Sequence, residues 1–228
     1  MESVELQNFL LGKFLTWLPE IIYGIFLVLA IALYLKSKYY PEFKLLNLTW
    51  KKLIVGTVSF QFFYAGLITW AQYYIWSKNG FTNILLNSPV DKEALGPILN
   101  FFFPLFDHRH GYFAFYVFGR FWLEVLIIWG LATLFYCLLR LSSRHRMEFF
   151  EPGEIELGLL VALIAGWPNF VIFIPLMLGL TLLFSMYRLL VLKQTATTLA
   201  WPLILAGALT LIFGGKLLIL FNLTTLKI

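Results

Sequence analysis

The sequence predicts an all-α fold, a polytopic transmembrane helical bundle of about five to seven helices, some of them short or re-entrant. Apolar residues make up 61% of the 228-residue chain, against about 45–50% in soluble domains. Charged residues make up 13%, roughly half the usual share, and they fall in short clusters between apolar runs. Several of those runs reach the roughly 20 residues that a helix needs to cross a hydrocarbon core about 30 Å thick. A single soluble domain of this length could not bury so much apolar surface. Residues 1–228 therefore read as one transmembrane domain.

The first span is expected at residues 17–35, with Pro19 in its first turn and Lys36 and Lys38 stopping the run. The run starts without a basic leader or a small-residue cleavage site, so no cleaved signal peptide is expected. The second span, residues 53–76, follows Lys44, Lys51 and Lys52 and ends in the aromatic belt of Trp70, Tyr73, Tyr74 and Trp76. Residues 77–93 are polar. Residues 95–106 are apolar but short and carry Pro97 and Pro104, which suggests an interfacial or re-entrant segment. After Asp107-His108-Arg109-His110-Gly111 comes a span at 121–141, with Arg120 and Glu124 spaced to pair across one helical turn. Arg140, Arg144, His145 and Arg146 form a basic loop. Glu151-Pro152-Gly153-Glu154 reads as a turn opening a helix. That helix ends at Trp167-Pro168-Asn169, a turn signal. Spans at 170–192 and 199–221 complete the chain.

Basic residues in short loops mark the cytoplasmic side. Loops 36–52 and 141–153 are thus expected in the cytoplasm and residues 77–93 outside, with an extracytoplasmic N-terminus, in the inner (plasma) membrane. The net charge of +5 is assigned to these loops and to anionic lipid rather than to nucleic acid. Cys137, the lone cysteine, reads as a small buried hydrophobe. His108, His110 and His145 read as interfacial residues rather than ligands, and no cofactor or metal is expected. Lys216 lies in the last span, where its stem can snorkel. Ala206-Gly207-Ala208 and Gly214-Gly215 give that helix a small-residue face, suited to an internal or an intersubunit contact.

Residues 151–216 carry a further pattern. Glu151-Pro152-Gly153-Glu154-Ile155-Glu156 opens a short apolar helix that ends at Gly166-Trp167-Pro168. A span, a basic residue (Lys193) and a helix bearing Pro202 and Phe213-Gly214 follow. This resembles the prepilin peptidases, membrane-embedded aspartyl proteases with a Gly-x-Gly-Asp-x-Lys motif. Upstream, Asp107 before its short basic segment resembles the family's first catalytic stretch, and Thr49-Trp50 the start of its second helix. The resemblance implies Asp107 and Glu154 as the catalytic pair, one carboxylate activating water while the other, protonated, polarises the peptide carbonyl. Here Glu154 stands where the family has aspartate, Glu156 where it has lysine, and Ala114 and Phe115 near where it has Ile-Pro-Asp. Residues 95–141 are also too few for the family's three crossings at about 17 residues each. A single crossing puts Asp107 and Glu154 on opposite faces of the membrane. The acids then read otherwise: Asp107 paired with Arg109, and Glu151, Glu154 and Glu156 as a solvated helix start.

Three functions compete. One is a structural or assembly subunit that keeps the scaffold without the protease and binds other membrane subunits within the lipid bilayer. The second is an active peptidase cleaving prepilin-like leader peptides. The third is an accessory subunit of a cofactor-bearing membrane complex, suggested by 19% aromatic content.

Overall fold

The computed structural model describes residues 15–39, 48–90, 103–145, 151–193 and 198–226. These residues form helices and connecting turns, with five helices long and apolar enough to cross a membrane. Helix α1 is Leu15–Tyr39 and α2 is Trp50–Lys78. Short helices α3, Gly80–Leu86, and α4, Phe103–Phe106, follow. Helix α5, Gly111–Val117, passes through a π-turn at Phe118–Trp122 into α6, Leu123–His145. Helices α7, α8 and α9 are Glu154–Ala165, Phe170–Leu190 and Ala200–Leu220, and a 3-10 turn, Thr224–Leu226, ends the described chain.

The third span is longer than expected. It begins at Gly111 rather than near residue 121, and its 34 residues to Arg144 are about 50 Å long at 1.5 Å per residue. Arg120 lies inside this helix, in the π-turn. An exposed arginine made the sequence look like a span's edge, but the helix continues through it. Trp122, in the same turn, donates from Nε1 to Thr69 Oγ1 of α2 at 3.1 Å. Among the described residues an ion pair joins Lys38 of α1 to Glu151. The expected re-entrant segment at 95–106 lies outside the described residues up to 102.

Helix α7 is the axis of the bundle. Leu157, Gly158 and every residue from Leu160 to Ala165 are buried, and it touches α1, α2, α6, α8 and α9. A helix apolar on all faces has to be enclosed on all faces. Two glycines allow the close approach. A Cβ at Gly158 would lie 2.5 Å from Leu139 Cδ1 of α6, and one at Gly207 of α9 would overlap Val161 Cγ1. Gly207 thus makes an internal helix contact, with van der Waals packing as its driving force, whereas Gly215 faces open space. Cys137, expected inside, is exposed on α6. It lies two positions from the buried Phe135, which places it on a different helix face.

A backbone carbonyl freed by proline in α1 finds a side-chain partner, as hydrocarbon requires. Pro19 sits one turn into α1 and cannot donate to the carbonyl of Leu15. Tyr64 of α2 does so, its hydroxyl 2.7 Å from Leu15 O. Tyr64→Phe is expected to lower stability by about 1–2 kcal/mol, measured by thermal unfolding in detergent. A change below about 0.3 kcal/mol would show that the carbonyl finds another donor.

Candidate functional site

The end of the bundle where α1 finishes and α2, α7 and α9 begin brings together Lys38, Glu151 and Glu154. Gly153 adopts a φ of 89°, a left-handed conformation open to glycine, and so turns the chain into α7. The indole of Trp50 covers it closely, with Nε1 2.8 Å from where a Cβ would stand. Glu154 follows as the first residue of α7.

Glu154 is fully buried. This corrects the reading of the three acids as a solvated helix start. Its Oε1 accepts from the backbone N–H of Ala200 at 2.9 Å, and its Oε2 from that of Glu151 at 3.1 Å. Ala200 opens α9, and the residue before it, Leu199, offers no side-chain cap. The first N–H groups of a helix need acceptors and carry partial positive charge. Glu154 supplies that acceptor from another helix and locks α7 to α9.

Glu151 faces the other way. Its carboxylate accepts from the hydroxyl of Tyr34 at 2.7 Å and pairs with Lys38 at 2.7 and 2.8 Å. The turn before α7 is thereby tied to the end of α1. Glu156 is half-buried on α7.

The two acids titrate in opposite directions. Burial pushes the Glu151 carboxyl up, but hydrogen bonds from Lys38 and Tyr34 outweigh it and hold the group below its ordinary range. At Glu154, which lies outside the five spanning helices, burial dominates and raises the carboxyl, against the pull of the N–H groups of Ala200 and Glu151. A lowered carboxyl stabilises the fold above its ordinary pKa, and that contribution is lost as pH falls through the lowered value. A raised one makes the folded chain bind the proton more readily, so its contribution falls as pH rises from the ordinary value to the raised one. Glu151→Gln should therefore flatten the loss of melting temperature between about pH 6 and pH 3, and Glu154→Gln should steepen it. Parallel profiles for both variants would contradict this assignment.

Asp107 lies elsewhere. It is exposed, as is Arg109, and the two form no ion pair, contrary to expectation. Its loop packs against the far end of α2 and α3. The His110 ring nitrogen Nδ1 is 2.7 Å from Leu86 O, and Tyr112 N donates to Ser88 O at 3.1 Å. Below this loop lies an aromatic cluster of Trp76, Phe113 and Tyr116. His108 is exposed, and the side chain of His145 lies outside the described residues. The whole length of α5–α6 separates Asp107 from Glu154, so the two acids implied by the resemblance do not meet.

A second polar centre escaped the sequence reading. Gln61, buried in α2, donates from Nε2 to Leu163 O at 2.8 Å and accepts from Trp129 Nε1 at 2.7 Å. Leu163 lies in the last turn of α7, where carbonyls lack intrahelical partners. Helix α7 has 12 residues, about 18 Å, and stops inside the bundle. Gln61 satisfies its end, and Trp129 of α6 holds Gln61 in place. The signal was available: a lone amide in an apolar span is costly unless it has a partner.

Comparison with protein-family profiles, curated proteins and solved structures finds no match.

Proposed function

We propose that this chain is a non-catalytic membrane scaffold related to the prepilin peptidases, serving as a structural or assembly subunit for other membrane proteins. The observation that carries this reading is the use of Glu154. Both its oxygens accept backbone N–H groups in a fully buried position, which suits a structural tie between helices better than the solvent-accessible carboxylate with which an aspartyl protease activates water. The separation of Asp107 from Glu154 by one long helix supports it further. Open space beside Gly66 of α2, Gly179 of α8 and Gly215 of α9 suits close approach by partner helices. In the same reading the end bearing Lys36, Lys38, Lys51, Lys52 and Arg144 faces the cytoplasm.

A prepilin-leader cleavage assay tests the proposal, comparing the wild type with Asp107→Asn and Glu154→Gln. No cleavage is expected from the wild-type chain. Cleavage that either substitution abolishes would establish a protease and overturn the scaffold reading.

A further inference from the structure

An open groove of about 500 Å³ runs between α8 and α9, lined by Leu176, Leu209, Phe213, Lys216, Leu217 and Leu220. Five of the six lining residues are apolar, and the sixth carries the only charge. The α9 residues follow a helical stripe, four, three, one and three positions apart, so they present one continuous face. From Leu209 to Leu220 this face is about 16 Å long.

Lys216 is exposed and makes no hydrogen bond or ion pair among the described residues. Helix α9 ends at Leu220, about 6 Å beyond Lys216. The lysine stem is long enough to carry its ammonium over that distance to headgroup level. An uncompensated ammonium at the rim of a lipid-facing apolar groove calls for an anion that brings its own hydrocarbon.

We propose that this groove binds one anionic phospholipid, with the phosphate on Lys216 and an acyl chain along Leu209, Phe213 and Leu176. The charge selects the headgroup, and the apolar lining takes the chain. A second copy of this protein fits less well, because its own α9 would bring a second uncompensated lysine to the contact. The assignment is independent of whether the chain is a scaffold or a protease.

Native mass spectrometry of the purified full chain tests the site, using phosphatidylglycerol and phosphatidylcholine with identical acyl chains. The wild type should retain one phosphatidylglycerol in preference to phosphatidylcholine. Lys216→Met should lower that preference about fivefold, the factor corresponding to about 1 kcal/mol for one lysine at a membrane surface. Lys216→Arg should keep it. Lys51→Met with Lys52→Met, at the opposite end, should leave this one lipid in place, which separates the site from general attraction to the basic end. Equal retention of the two lipids by the wild type, undiminished preference in Lys216→Met, or a dimer that excludes lipid from the groove would each overturn the proposal. Unchanged melting temperatures in both Lys216 variants would show that the effect is on binding rather than on folding.

Discussion

Glu154→Ala is expected to destabilise the folded chain by about 3–5 kcal/mol. Two N–H groups lose their acceptor, the buried one of Ala200 and the partly buried one of Glu151, at about 1–3 kcal/mol each, with Glu151 at the low end. The start of α9 also loses a compensating negative charge. Removing a carboxylate that is itself costly to bury offsets part of this. Glu154→Gln keeps the shape and one good acceptor, but its amide nitrogen then faces a second donor, so roughly half the loss is expected. Denaturant unfolding in detergent micelles measures both. A change under about 0.5 kcal/mol for the alanine variant would mean that Glu154 does not hold α7 to α9.

The second large effect belongs to Gln61. Gln61→Leu is close in size and keeps the packing, yet strips the donor from Leu163 O and the acceptor from Trp129 Nε1. Neither group has water to fall back on in this part of the bundle, so a loss of about 2–5 kcal/mol is expected. Trp129→Phe removes only one of the two ties and should cost less. If the double variant costs no more than Gln61→Leu alone, Trp129 acts through Gln61, as their shared hydrogen bond implies. Additive losses would show two independent contributions.

The long spans were legible because hydrocarbon demands unbroken apolar runs, and α1, α2, α8 and α9 each begin and end within a few residues of expectation. The turn at Gly153 and the stop at Trp167-Pro168 were legible for a similar reason, since glycine and proline constrain the local chain whatever surrounds it. Glu154 was not. Its sequence neighbours, two other acids and a proline, describe a helix start in water. Its burial depends on Ala200, 46 residues away, arriving with an uncapped helix end. Cys137 failed for a related reason: in a membrane helix the outward face is also apolar, so hydrophobicity alone does not distinguish lipid from core. Gln61 could have been found by treating any intramembrane amide as a residue in need of a named partner.

The scaffold reading stands on one crossing between Asp107 and the Glu154 turn. A pulsed electron-resonance distance between spin labels at Asp107→Cys and Pro152→Cys tests it most directly. Both sites are exposed, and Cys137→Ser removes the one competing thiol. A distance of about 40–50 Å is predicted from the length of α5–α6. A distribution centred below about 20 Å would contradict the fold's placement of these two segments and return the acids to a shared site.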